Sequence, residues 1–323
     1  MSVKKAVFRV LYLGVLCLCG GLMAEQDSKE LILSGITIYT DKNFTRAKKY
    51  FEKACGLNDA DGCIILREIY SKAITRENAR ESIKKALEHT ATAKACQLND
   101  AKKCKKLAEF YFKANDLKKT LEYYSKACQL NNAKGCMLSA AFYDGVIKGF
   151  KKDKKAFEYY SKACELNDAD GCVILGDIYH SGEGVTKNFK KALKYYSKAC
   201  ELNDAKGCSK TGGAYFFGEG VTKDLKQAFE YYSKGCGLNQ ALTCTLVGAF
   251  YRDGYGVTKD FKQAFEYFDK ACKLNNAKGC YALAALYNEA KGVAKDEKQT
   301  TENLEKSCKL GLKEACDILK EQK

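Results

Sequence analysis

Residues 164–200 read CELNDADGCVILGDIYHSGEGVTKNFKKALKYYSKAC. Cys164 and Cys172 open the phrase, and Cys200, 36 residues after Cys164, starts it again. Seven other pairs keep the same C-x7-C spacing: Cys55/Cys63, Cys96/Cys104, Cys128/Cys136, Cys200/Cys208, Cys236/Cys244, Cys272/Cys280 and Cys308/Cys316. Their first members advance by 41, then 32, then five steps of 36 residues. Such a period marks a stack of repeats rather than the two separate domains that 323 residues would suggest from length alone.

Each repeat predicts two helices. Counted from the second cysteine, position +3 is apolar (Leu66, Leu107, Leu175, Val247, Leu283), +4 is mostly Gly or Ala, and +7 is tyrosine in Tyr70, Tyr111, Tyr143, Tyr179, Tyr215, Tyr251 and Tyr287. Steps of three and four residues place these on one helical stripe, helix A. A Gly-x-Gly-Val turn follows, as at Gly182–Val185 and Gly218–Val221, where glycine allows positive φ. The next stretch, such as FKKALKYYSKAC, returns to the helical period as helix B. Asn167 suits a left-handed cap ending helix B, and Asp168 suits the N-cap of the next helix A.

Two units depart from this pattern. Cys63 to Cys96 is 33 residues long without a Gly-x-Gly turn, so Thr75–Cys96 reads as one longer helix. Cys104 to Cys128 is only 24, so the turn around Lys113–Leu117 loses four residues and an irregular local geometry is expected.

The start of the chain, MSVKK followed by an apolar run from Val10 to Ala24, has the form of an export signal cut after Ala24. Sixteen of the 18 cysteines lie beyond it, and an even count in an exported chain implies disulfides. Each pair is expected to join the last turn of one helix B to the first turn of the following helix A. Two histidines in the whole chain leave little for a zinc cluster or a Ser-His-Asp triad, and C-x7-C is not zinc spacing. The net charge of +15 falls to about +12 without Lys4, Lys5 and Arg9 and is nearly all lysine, which argues for solvated helix faces and against nucleic acid. No phosphate loop, dinucleotide fingerprint or metal cluster appears, so no cofactor and no metal are expected.

The pattern Ala169…Leu175-Gly176-x-x-Tyr179-x-x-Gly182-x-Gly184-Val185, then Lys191-Ala192-x-x-Tyr195-Tyr196-x-Lys198-Ala199, resembles the Sel1-like repeat, a relative of the tetratricopeptide repeat. With a cysteine pair at every junction, the chain resembles the Helicobacter cysteine-rich proteins. That resemblance implies an all-α, right-handed α/α solenoid of about eight helix pairs with one disulfide per junction. It also implies an exported protein of a family in which penicillin binding, weak β-lactam hydrolysis and action on host cells are described. Residues 25–323 would then form a single domain, with regular repeats over 129–308, irregular units over 64–128 and a capping helix at 313–321.

A serine β-lactamase would need S-x-x-K, Ser-x-Asn and K-T-G converging on one serine. Ser82-Ile83-Lys84-Lys85 and Lys210-Thr211-Gly212 supply two of the three spellings, but they lie more than three repeats apart, and Thr211-Gly212 falls on the +3 and +4 packing positions. His89 and His180 read as surface helix residues. The favoured reading is a binding scaffold. On helix A, positions +1, +5 and +8 share a face apart from the packing set, and there the units disagree: Met137, Ala141, Asp144; Val173, Asp177, His180; Ser209, Gly213, Phe216; Thr245, Ala249, Arg252; Tyr281, Ala285, Asn288. In tetratricopeptide-like arrays helix A lines the concave side, so Asp177, His180, Phe216, Arg252, Tyr281 and Asn288 are expected to line a ligand groove. Expected partners are a protein or peptide, a host molecule, or a β-lactam or peptidoglycan fragment. A monomer, secreted or periplasmic and without a membrane span once the signal is cut, is expected.

Overall fold

The computed structural model describes residues 30–32, 34–35, 38, 44–57, 62–63, 88, 91–145 and 154–321. The expected signal, Leu66, Tyr70, Ser82, His89 and most of the expected long helix over Thr75–Cys96 lie outside these residues. Among the described residues there is no strand, and the helices run α1 (Phe44–Gly56), α2 (Ala101–Lys113), α3 (Leu117–Gln129), α4 (Ala133–Gly145), α5 (Lys154–Glu165), α6 (Ala169–Ser181), α7 (Phe189–Glu201), α8 (Ala205–Phe217), α9 (Leu225–Gly237), α10 (Ala241–Asp253), α11 (Phe261–Lys273), α12 (Ala277–Asn288), α13 (Glu297–Lys309) and α14 (Lys313–Glu321). The chain divides into two compact units, Met1–Thr120 and Leu121–Lys323, with the boundary inside α3.

One device makes all the described B-to-A junctions but the last, where Gly311 (φ 94°) stands in the place of the asparagine. An asparagine in left-handed conformation ends helix B (Asn99, Asn131, Asn167, Asn203, Asn239 and Asn275, φ between 61° and 67°). The next residue caps helix A: Asp168 accepts from the Gly171 amide at 3.1 Å, Asp204 from Gly207 at 2.6 Å and Asn276 from Gly279 at 2.9 Å. The Asp168 amide reaches back to the Ala163 carbonyl at 2.9 Å, satisfying one of the orphan carbonyls at the end of α5. Gln240 breaks the pattern and makes no side-chain cap.

At the same junction all eight cysteine pairs are bridged, with Cα atoms 4.4 to 4.8 Å apart. At most of them the backbones meet this closely because a small residue faces a small residue; Lys103 is the exception. A Cβ on Gly171 would come within 2.9 Å of the Ala163 Cβ, and one on Gly207 within 2.6 Å of the Ala199 Cβ. At the α9–α10 junction the pair is inverted: Gly235 stands where six of the others have alanine and one has Ser307, and the methyl of Thr243 fills the space.

In three repeats of the Leu121–Lys323 unit, helix A lies against helix B through a glycine under a ring; Ala140 and Ala284 take the glycine's place in the other two. Gly176 sits beneath Tyr196, Gly212 beneath Tyr232 and Gly248 beneath Phe268. Beside this contact the +7 tyrosine stacks on a helix B tyrosine: Tyr143 on Tyr159, Tyr179 on Tyr195, Tyr215 on Tyr231 and Tyr251 on Tyr267, all with centroids 5.5 to 5.7 Å apart. Burying one such core ring, Phe268 for instance, contributes roughly 2–3 kcal/mol.

Repeat follows repeat by two further contacts. The second glycine of two Gly-x-Gly turns lies on the first turn of the preceding helix B, Gly220 on Phe189 and Gly256 on Leu225, where a Cβ would strike the backbone at 2.4 and 2.6 Å. The Lys198 ammonium donates to the Cys164 carbonyl at 2.6 Å, and Lys270 to that of Cys236 at 2.9 Å, so a lysine of one helix B caps the end of the one before.

The shortened turn between α2 and α3 is not irregular, as the missing residues suggested. Asn115 takes φ 62° and Asp116 caps the Lys119 amide at 3.0 Å, so the chain reuses the junction device in place of the glycine turn.

Candidate functional site

Helices A of successive repeats touch one another, α6 with α8 and α10 with α12. The residues expected to line a groove lie along this row, and most of them are already engaged. Asp177 on α6 accepts from the Tyr196 hydroxyl at 2.7 Å and pairs with the Lys210 ammonium of α8, also at 2.7 Å. Burial first, and then the Asp177 carboxylate, push the Tyr196 phenol well above its ordinary range. In the preceding repeat Tyr160 donates to Asp144 at 3.3 Å, and burial with that carboxylate pushes its phenol up to about 12. The next repeat has Gly213 in the place of the acid, and burial alone pushes Tyr232 up to about 12.

His180 lies 3.0 Å from Glu219, in the turn of the following repeat, with its ring edge-on to Phe189. Phe216 makes the same step to Tyr255 in the next turn, with centroids 6.5 Å apart, and also meets Phe250 at 5.8 Å. Phe216 is therefore half-buried against the α9–α10 core rather than an exposed anchor. Tyr281 is likewise half-buried, packed on Ala284, Leu304 and Ala315. Arg252 is exposed and forks onto Asp253 at 2.7 and 2.8 Å, which holds the Asp253 carboxyl below its usual range. Asn288 is exposed at the end of α12.

The reading from sequence missed Phe217 and Tyr255. Phe217, at position +9, is 71% exposed, and Tyr255, the middle residue of its Gly-x-Gly turn, is 44% exposed. They flank Phe216, which meets Phe217 edge-on with centroids 5.0 Å apart, and make a ridge of rings on the row of helices A. A signal existed, since aromatic residues replace the Ser181 and Glu183 types found at these positions one or two repeats earlier.

Beside the ridge is a depression of about 150 Å³ lined by His180, Phe189, Leu193, Tyr196, Lys210, Gly213, Phe217 and Glu219 among others. Gly213 opens it by having no side chain. A larger, mostly apolar one of about 390 Å³ lies between α5 and the Glu183–Val185 turn, with Phe157, Tyr160 and Ile178 in its wall. The K-T-G triplet does not form a reactive surface: Lys210 is held by Asp177, while Thr211 is buried inside α8 and donates to the Gly207 carbonyl at 2.8 Å. Among the described residues no cluster of His, Cys, Asp or Glu is placed to hold a metal ion, and no helix is long and apolar enough to cross a membrane.

A family model described as the Sel1 repeat matches residues 23–59, 106–132, 136–168, 169–204, 205–239, 241–276 and 277–312. The chain belongs to the Sel1 repeat family. It is 61% identical over 69 residues, 21% of its length, to HcpC of Helicobacter pylori strain 26695, whose name marks it as a candidate β-lactamase. It is 45% identical over 87 residues, 27% of its length, to a protein of Helicobacter pylori strain J99 named β-lactamase HcpA. These matches span 23% and 33% of the two relatives. The Sel1-type fold of c5321, a protective antigen of uropathogenic Escherichia coli, overlays with a TM-score of 0.65 at 24% identity, covering 91% of this chain and 64% of that one.

Proposed function

We propose that this protein is an exported binding scaffold that takes a peptide or protein segment along its row of helices A. The observation that carries the reading is the exposed ridge of Phe217 and Tyr255 beside the depression opened by Gly213. Exposed rings next to a partly apolar hollow are what an interface uses as anchors, and a partner would exclude water from both. Eight disulfides and the Helicobacter relatives fit a protein working outside the cytosol, and the apolar stretch before Ala24 supports export. The rigid, stapled repeats supply a preformed surface, so little ordering entropy is spent on binding.

The test is to pan a random peptide library against the oxidised protein and measure the selected peptides on wild type and on Phe217→Ala/Tyr255→Ala. Selected peptides should bind wild type and lose at least about tenfold in affinity on the variant, the effect of one anchor residue. Peptides that bind both equally would place recognition elsewhere.

The names of HcpC and HcpA favour a second reading, β-lactam hydrolysis. A chromogenic cephalosporin discriminates: the scaffold reading expects no turnover above background, whereas turnover that falls on Lys210→Ala would favour an enzyme.

A further inference from the structure

In the Leu121–Lys323 unit the bridges are not equally protected. Cys128, Cys136, Cys164, Cys172, Cys200, Cys208, Cys236, Cys244, Cys272 and Cys280 are at most 3% exposed. In three of these five bridges the seal is visible as an alanine of the following helix B. Ala163 packs on Cys128 and Cys136, Ala199 on Cys164 and Cys172, and Ala271 on Cys236 and Cys244. Cys308 and Cys316 are only half-buried among the described residues.

We propose that Cys308–Cys316 is a thiol–disulfide exchange site, the bridge that a thiolate of a small thiol such as glutathione attacks first. The two sulfurs differ. Cys316 lies in the first turn of α14, where the helix dipole favours a thiolate, while Cys308 lies in the last turn of α13, where it does not. Attack therefore falls on the Cys308 sulfur: a new S–S bond forms to the incoming thiol, the old one breaks, and its electron pair leaves on Cys316 as thiolate. A second thiolate then attacks the adduct and releases the oxidised small thiol, leaving two cysteine thiols. Two electrons pass from two thiols to the bridge.

Opening this staple loosens α14. Ala315 is its one buried residue, and Ile318 and Leu319, with Leu312 just before the helix, pack beside it against Ala284 and Leu304. Opening an internal staple first requires parting a repeat from its neighbour, which holds the sulfurs out of reach.

The oxidised chain is incubated with reduced glutathione, samples are trapped by alkylation, and each cysteine is followed by peptide mapping. Cys308–Cys316 should open at least about tenfold faster than the five internal bridges of its unit, with the glutathione adduct on Cys308. Amide exchange over 313–321 should rise in step, to the level of a Cys308→Ser/Cys316→Ser variant. Equal rates for all bridges, an internal bridge of this unit opening first, or an adduct found on Cys316 would overturn the proposal.

Discussion

His180 in the last turn of α6 meets Glu219 at 3.0 Å, and 39 residues separate the two. Phe216 and Tyr255 stand in the same relation one repeat later. The residue at helix A position +8 thus reaches the middle residue of the next Gly-x-Gly turn, and the two change together from an ionisable pair to an aromatic pair. The third step of this series would join Arg252 to Lys291, which carry like charges. There Arg252 turns to Asp253, while Lys291 pairs with Glu289 at 2.6 Å. Variation at +8 is therefore partly a record of repeat-to-repeat contacts, not only of freedom to fit a ligand.

Phe216 and Phe217 should separate packing from recognition. Phe216→Ala strips a half-buried ring from the α9–α10 core and should cost about 2 kcal/mol in urea unfolding. Phe217→Ala removes a ring that is 71% exposed and should move stability by less than about 0.5 kcal/mol. Equal losses from the two would show that the ridge is structural.

Neighbouring glycines should respond with opposite signs to the same substitution. A Cβ on Gly212 would stand 2.7 Å from the Tyr232 ring, so Gly212→Ala should destabilise by about 1–3 kcal/mol. A Cβ on Gly213 meets only the Tyr232 hydroxyl, at 3.7 Å, so Gly213→Ala should stabilise by up to about 1 kcal/mol through helix propensity. Thermal melts of the two variants decide it.

Loss of one internal staple should be local. Cys200→Ala/Cys208→Ala opens a loop of nine residues, and the chain-entropy relation puts its contribution at about 2–3 kcal/mol. Far-ultraviolet circular dichroism should stay helical at room temperature while the unfolding midpoint falls. Collapse of the whole helical signal would show that the staples act together.

Alkali, rather than mild acid, should find the weak point of the helix A–helix B contact. Burial pushes the Tyr160 and Tyr232 phenols up to about 12 in the folded chain, against about 10 unfolded. The folded state then holds protons that the unfolded state releases. Their contribution is intact below about pH 10 and is lost as pH rises from there through about 12. Melting temperature should therefore begin to fall near pH 10, with phenolate absorbance lagging until unfolding. Full tyrosine ionisation at pH 10 without unfolding would contradict this.

Much of the fold was legible because each repeat solves the same local problem. Asn167, Asp168, Gly176 and Gly182 announced a left-handed stop, a cap, a helix-packing position and a turn, and each takes that role, Gly176 by lying under the Tyr196 ring. The α2–α3 turn misled because shortening removed its glycines, while Asn115-Asp116, already spelled as a junction, went unread. The site was harder. Helical phase says that Asp177, His180 and Phe216 share a face, but not that Lys210, Glu219 and Tyr255 of the next repeat close over them. That registry is fixed by how repeats stack, which a single period does not encode.

The most direct test of the binding surface is an amide-exchange footprint of the oxidised protein with and without a selected peptide. Protection should fall on α8, α10 and the Gly254–Asp260 turn, and should vanish with Phe217→Ala/Tyr255→Ala at an unchanged melting temperature. Protection confined to α9 and α11, with the variant footprint the same as wild type, would contradict it.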